Sequence, residues 1–356
     1  MTITNDAVLE IVNAIQDPEI GRNLGSLKMV SSVSVTDNSA KVVLDLPTPA
    51  YPDPERLTSA VQSAIREKFP ESTPAEVSFI SNVRGKDSGG RIGLRVKNVI
   101  AVGSGKGGVG KSTVATCLAY GLKSFGASVG LMDADVYGPS IPHMLNASGK
   151  PAANQSENAD GQPLVRMEPI EADGIKLMSM GFFVDPGKAV VWRGPMLHKA
   201  LTQFLKDTDW GELDYLVIDL PPGTGDVSLT LSQIVGLAGA VIVCTPQKVA
   251  LLDAEKAVDM YKTVKVPVLG VVENMSGEIF GQGGAKQMAE QYGVPFLGEI
   301  PMEASIRVSS DAGSMNDLFQ PDNPACAPLR SMCQQTAMQI ARSLLETPSM
   351  PTLELL

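Results

Sequence analysis

Apolar and polar positions alternate along this chain in two regimes. From residue 6 to residue 16, Val8, Leu9, Ile11, Val12 and Ile15 recur at helical spacing until Asp17-Pro18 interrupts them. Two strand-like stretches follow, Met29 to Val35 and Lys41 to Leu46, with Asp37-Asn38 as the turn between them. Leu57, Val61 and Ile65 repeat every four residues within Asp53 to Lys68, which predicts a second helix, and Ala75 to Ile80 closes the unit as a strand. Residues 1 to 84 therefore predict a small α+β domain in the order αββαβ.

The pattern lapses over residues 85 to 97, where Gly85-Lys86-Asp87-Ser88-Gly89-Gly90-Arg91 is polar and glycine-rich, as a linker is. Beyond it come short apolar runs: Val99 to Val102, Val129 to Met132, Tyr215 to Asp219, Ala240 to Cys244, Val268 to Val272 and Phe296 to Ile300. Helical patterns, such as Thr113 to Phe125, separate them. Runs of this kind suit buried parallel strands joined by helices, so residues 98 to 347 predict an α/β domain with a doubly wound, mostly parallel sheet, followed by a tail over 348 to 356.

Composition acts mainly by exclusion. Apolar residues make up 44% of the 356, enough for a sizeable core, yet no run reaches the ~18 residues of a membrane span. Met1-Thr2-Ile3-Thr4-Asn5-Asp6 lacks the basic and apolar regions of a signal peptide, so a cytoplasmic protein is expected. Lys and Arg number 29 against 39 Asp and Glu, a net charge of −10, which argues against a general nucleic-acid surface. The tail has two prolines and no basic face, so no membrane anchor is expected there. The four cysteines, Cys117, Cys244, Cys326 and Cys333, form no CxxC pair. Cys117 and Cys244 lie in apolar segments and read as core.

Gly105-Lys106-Gly107-Gly108-Val109-Gly110-Lys111-Ser112 is the chemical centre of the sequence, because a strand precedes it and a helix follows. Gly105, Gly107, Gly108 and Gly110 let backbone N–H groups turn inward around a phosphate, and the helix adds its positive dipole end. Lys111 is placed to reach β- and γ-phosphates, Ser112 to ligate Mg²⁺, and Thr113 and Val109 flank them. A nucleoside triphosphate is the natural occupant. The apolar run ending at Asp219, followed by Leu220-Pro221-Pro222-Gly223-Thr224-Gly225-Asp226, is a Walker B arrangement, with Asp219 opposite Ser112 at the Mg²⁺ and a switch loop after it. Asp133-Ala134-Asp135 puts two carboxylates at the end of another strand beside the P-loop, where Asp135 could orient the attacking water, reach Mg²⁺ through water or cap a helix.

Lys106 places KGGVGKS within what resembles the deviant Walker A family. That resemblance implies a homodimer in which Lys106 contacts phosphates bound to the opposite subunit, a switch role for Asp135, and adenine recognition by Asn274 at a strand end. Asp133 to Ser140, Trp192-Arg193-Gly194-Pro195-Met196, Asp219 to Asp226, Thr245-Pro246-Gln247 and Glu273-Asn274-Met275-Ser276 together look like the Mrp/ApbC/Nbp35 group of iron–sulfur cluster carrier ATPases. Asp17-Pro18-Glu19 and Thr48-Pro49-Ala50-Tyr51-Pro52 resemble the signatures of the small MIP18-type domain of iron–sulfur assembly, though Tyr51 stands where that family usually has Cys. The implied function is an ATP-hydrolysing, Mg²⁺-dependent carrier that delivers clusters to apo iron–sulfur proteins. The alternatives are a partition-type positioning ATPase and a nucleotide-regulated scaffold without its own cluster. Many members of the group have a CxxC pair after the Asn-Met-Ser sequence that bridges a [4Fe–4S] cluster between subunits. Here Ser276 runs through Gly277-Glu278 into Ile279-Phe280-Gly281 with no cysteine. Cys326 and Cys333, in a segment broken by Pro324 and Pro328 and read as a loop near a helix start, remain the candidate cluster ligands.

Overall fold

A computed structural model describes residues 3–85, 94–136, 138–157, 163–183, 194–223, 231 and 234–346. Tyr137, Trp192-Arg193, Thr224 to Asp226, most of the linker and the tail lie outside the described residues. The chain divides into two units, residues 1–84 with 337–356, and residues 85–336.

In the small unit the order is α1 (Asn5–Ala14), β1 (Val30–Thr36), β2 (Ser39–Leu46), α2 (Pro54–Lys68) and β3 (Thr73–Ser81). β1 and β2 pair antiparallel, and β2 pairs with β3 in parallel. Asp37 and Asn38 take φ of +48° and +63°, the left-handed pair that a two-residue hairpin turn needs. Thr4 and Asp53 cap the two helices, their side chains accepting from the backbone N–H of Ala7 and Arg56. Val8, Val12, Leu57, Val61 and Ile65 turn inward against Val42 and Leu44 of β2, so the helical and strand periods meet in one core.

Tyr51 is buried in this unit, and its hydroxyl donates to Asp17 Oδ2 at 2.9 Å. Asp17 Oδ1 accepts the backbone N–H of Glu19 and of Ile20 at 2.9 and 2.7 Å. Burial first, and then the Asp17 charge, push the phenol pKa well up. Where a cysteine would offer a thiol, this chain has a hydrogen bond that satisfies a buried carboxylate.

The larger unit contains β4 (Val96–Gly103), α3 (Lys111–Ser124), β5 (Val129–Asp133), α4 (Ile141–Met144), β6 (Ala153–Glu157), β7 (Pro163–Met167), β8 (Ile170–Ala172) and β9 (Ile175–Ser179). It continues through α5 (Gly194–Asp207), β10 (Leu213–Asp219), β11 (Leu237–Cys244), α6 (Lys248–Thr263), β12 (Val268–Ser276), α7 (Gly284–Tyr292), β13 (Phe296–Pro301), α8 (Ala304–Ala312) and α9 (Cys326–Glu346). Eight of the described strands form one sheet in the order β13-β12-β11-β4-β10-β5-β9-β8. Every pairing in it is parallel except the β8–β9 hairpin. The central strands are buried almost throughout, which is why they read as unbroken apolar runs. The chain moves outward from β4 to β5 and β9, returns through β10 and crosses to β11. The strand order thus reverses around β4, the place where open α/β sheets bind ligands.

The C-terminal boundary differs from the sequence reading, which kept residues 98 to 347 in one domain. From Ala337 onward α9 belongs to the small unit. Met338 is fully buried in that unit's core, and the Arg342 guanidinium donates twice to the Glu19 carbonyl, at 3.0 and 2.7 Å. The segment from Cys326 is helix rather than loop, and Pro328 falls in the first turn, where no helical N–H partner is lost. No helix of the described residues is long and apolar enough to cross a membrane.

Candidate nucleotide site

β4 delivers the chain at Gly103 into the glycine-rich loop, and α3 begins at Lys111. Gly108 and Gly110 have φ of +80° and +79°, conformations in which a Cβ is strained. Gly105 is packed so closely that a Cβ would overlap the backbone carbonyl of Asp253 in α6. The Ser104 hydroxyl donates to the Lys106 carbonyl at 2.9 Å, and the Ser104 carbonyl accepts the N–H of Gly223 at the same distance. The loop after β10 is thereby tied to the P-loop.

Three strand ends converge on Lys111, whose side chain is only 6% exposed. Its Nζ lies 2.6 Å from Asp219 Oδ1, 3.7 Å from Asp135 Oδ2 and 3.3 Å from Ser112 Oγ. Ser112 Oγ donates to Asp219 Oδ2 at 2.6 Å. Burial pushes the Asp219 carboxyl above the usual carboxylate range, while Lys111 and Ser112 pull the other way. The hydroxyl and carboxylate are hard oxygen donors side by side, a set that fits Mg²⁺.

Asp133 is the other carboxylate that the sequence puts at this strand end, and motif reading assigns it no role. The parallel register sets it directly beside Asp219. It accepts from Ser179 Oγ at 3.0 Å and from the Asp135 N–H at 3.2 Å, and so orients Asp135. Burial, and next the Asp219 charge, raise its carboxyl to about 7. A raised acid pKa means that the folded state holds the proton more tightly than the unfolded chain. This contribution to stability is complete below the ordinary value of 3.8 and is lost as pH rises through about 7. An Asp133→Asn variant should therefore gain on the wild type between these limits, by at most about 4 kcal/mol. Thermal melts across pH 4 to 8 measure it, and a difference independent of pH would refute the assignment.

Asn274, expected at the adenine edge, is 94% buried by accessible surface and donates its amide to the Val109 carbonyl at 2.9 Å. In this geometry it braces the P-loop. It also lines a cavity of about 450 Å³ with Thr113, Met144, Met275, Pro301 and Ile306, next to the start of α3. Met144, Met275, Pro301 and Ile306 give it apolar walls suited to a flat heterocycle, and Glu303, Arg307 and Asp311 add charge to the lining. Its neighbour Glu273 is fully buried and accepts the N–H groups of Gly283 and Ala285, each at 2.7 Å, capping α7 from β12, the strand before it.

Lys106 is half-buried within the loop. Cys326 and Cys333 are two helical turns apart on α9, and both are buried. Cys333 Sγ points at the Cys117 carbonyl, 3.7 Å away, in a space that exists because residue 121 is glycine. Burial holds its thiol well above the ordinary range, so a cluster on this pair would have to reach buried sulfurs. Cys117 and Cys244 are likewise buried, with thiols pushed up to about 12.

The family model of the NUBPL iron-transfer P-loop NTPase matches residues 95–337, and that of an iron–sulfur cluster assembly protein matches residues 5–79. An iron–sulfur cluster carrier protein of Deinococcus radiodurans is 47% identical over 355 residues, spanning 97% of this chain and 98% of its own. The Escherichia coli protein of the same description is 40% identical over 339 residues, 91% of this chain and 89% of its own. Among solved structures, a nucleotide-binding protein from Archaeoglobus fulgidus in complex with ADP aligns with a TM-score of 0.53 and 39% identity, over 64% of this chain and 90% of that one. The cell division ATPase MinD of Pyrococcus furiosus, at 20% identity and a TM-score of 0.51 over 67% of this chain and 97% of its own, shares the fold. With a P-loop, a Walker B aspartate and matches that run through both units, the chain belongs to the NUBPL iron-transfer family of P-loop NTPases.

Proposed function

We propose that this chain is an ATP-hydrolysing carrier that transfers iron–sulfur clusters to apoproteins. The observation that carries the reading is the convergence of Lys111, Ser112, Asp135 and Asp219 at one sheet end, in a chain whose relatives are named cluster carriers. Phosphate oxygens entering the glycine loop compete with Asp219 for the Lys111 ammonium. Ser112 and the released Asp219 carboxylate would hold Mg²⁺, which supplies charge neutralisation at the β- and γ-phosphates. Asp135, held by Asp133, is the group placed to orient a water on the γ-phosphate. The cavity beside Asn274 takes the base. Because Gly223 is bonded to Ser104, loss of the γ-phosphate alters the loop after β10, a route by which hydrolysis changes affinity for cargo or client. Purified protein with Mg²⁺ and ATP should release phosphate slowly; no turnover under those conditions would refute the enzymatic part.

The working form in this reading is a homodimer, with Lys106 reaching the partner's phosphates. Lys106→Ala should then impair hydrolysis more than nucleotide binding. Mixing Lys106→Ala subunits with Asp135→Ala subunits should restore part of the activity, because one of the two composite sites regains both groups. Losses that merely add would place Lys106 in its own site.

A second reading is favoured by one observation: all four cysteines of the chain are buried. A nucleotide-regulated scaffold would bring donor and acceptor together without ligating the cluster itself. Anaerobic reconstitution with iron and sulfide, followed by iron counting, separates the readings. Stoichiometric iron supports the carrier, and none supports the scaffold.

A further inference from the structure

β9 ends at Ser179, and the chain passes at once into a short 3₁₀ turn, Met180–Phe182. The turn is pinned in place, because Met178, Met180 and Phe182 are all buried. Ser179 is fully buried too, and a buried hydroxyl needs partners. It has them on both sides. The Gly181 N–H donates to Ser179 Oγ at 2.9 Å, and Ser179 Oγ donates to Asp133 Oδ2 at 3.0 Å. A hydroxyl has one proton to give, so with the amide held at its oxygen that proton is aimed at Asp133.

Parallel register sets Ser179 beside Asp133, as it sets Asp133 beside Asp219. Asp133 Oδ1 accepts the Asp135 N–H at 3.2 Å, and the N–H of Ala134 between them donates to the Asp219 carbonyl at 2.9 Å. Ala134 and Val136, on either side of Asp135, are buried in the same core cluster as Met178 and Met180. The turn also meets the chain further on, since a Cβ at Gly181 would lie 3.3 Å from Pro139 Cβ. Contacts from the end of β9 therefore fall before Asp135, at Asp133, and beyond it, at Pro139. Between these two points the Asp135 carboxylate stands 3.7 Å from Lys111 Nζ.

We propose that Ser179 is a positioning residue for ATP hydrolysis: through Asp133 it fixes where Asp135 stands at the γ-phosphate. This role rests on the hydrolysis reading above and adds to it the strand that aligns the water-orienting group. Without the hydroxyl, Asp133 loses a donor on Oδ2 and its carboxylate can turn, so the Asp135 N–H loses a fixed acceptor. Asp135 then samples positions from which it cannot orient the water. Nucleotide binding draws instead on the glycine loop and Lys111, so the effect falls on kcat and spares KM.

Steady-state ATP hydrolysis by the full chain, together with binding of a fluorescent ATP analogue, tests this role. Ser179→Ala should lower kcat by about tenfold to a hundredfold and leave KM and analogue affinity within about twofold of the wild type. Ser179→Thr and Ser179→Val share a shape and differ in the hydroxyl. The Thr variant should exceed the Val variant in kcat by about tenfold or more, a comparison that stands even if the Ala variant does not fold. On an Asp135→Asn background Ser179→Ala should cost no further rate, because the group it aligns is already disabled. A Ser179→Ala protein with wild-type kcat, a Thr variant no faster than Val, or losses that multiply with Asp135→Asn would overturn the positioning role and leave the hydrolysis reading standing. A wild type without turnover overturns both.

Discussion

ATP turnover in a Lys111→Ala variant is expected to fall by about a thousandfold or more, with nucleotide affinity falling alongside it. Among the described residues the ammonium is the cation within 4 Å of both Asp135 and Asp219, so its loss removes positive charge where the phosphates would enter. The variant should also show a second effect that an exposed lysine would not. Asp219 is fully buried, so removing its partner leaves a desolvated carboxylate with the Ser112 hydroxyl as its donor and Asp133 beside it. Breaking one side of such a pair costs about 3–5 kcal/mol. Adding Asp219→Asn should recover much of that stability and none of the turnover. Phosphate release, equilibrium binding and chemical denaturation of the single and double variants distinguish the two effects. Unchanged ATP affinity and turnover in Lys111→Ala would remove the P-loop assignment.

The second large effect is expected from Gly105→Ala. A methyl group there meets backbone, the Asp253 carbonyl, which cannot swing aside, so either the P-loop or the start of α6 must shift. Because reacting groups misplaced by about 1 Å lose on the order of a hundredfold in rate, turnover should drop at least that far. Gly110→Ala provides the contrast. Its methyl would overlap the Asn274 amide, a side chain, at a φ of +79°. Adding Asn274→Ala should relieve the overlap and recover part of the nucleotide affinity, leaving the strain of a left-handed alanine, about 1–2 kcal/mol. No comparable partner replacement exists for Gly105. Isothermal titration of these variants tests both claims, and a Gly105→Ala protein with wild-type turnover would mean that the cradle tolerates a displacement the packing forbids.

What could be read in the sequence follows from how local each signal is. The glycine loop, Lys111, Ser112 and Asp219 were legible because a P-loop writes its phosphate chemistry into consecutive residues, and an apolar strand ending in Asp is equally compact. The αββαβ unit was legible because its helices and strands carry clean periods and its hairpin a two-residue turn. Asp133 was not, since its role arises from register: only when β5 lies beside β10 does it meet Asp219. Glu273 was hidden for the same reason, its partners being backbone groups ten and twelve residues away. The strands from Ala153 to Ser179 are short and weakly patterned, yet Asp173-Gly174, with φ of +49° and +74°, was a usable hairpin signal. A helix does start at Cys326, but it runs on through Cys333 where two prolines suggested a loop, because a proline in the first helical turn interrupts nothing.

The last helix has a consequence for how the protein is made. The small unit is discontinuous: its first 84 residues leave the ribosome early, but Met338 and Arg342, which complete it, come some 250 residues later. At about 5–20 residues per second, the nascent unit waits on the order of tens of seconds with an apolar seat for Met338 still open. A fragment cut at the linker should carry the same defect permanently, and its cure is the addition of residues 337–346 as a peptide in trans.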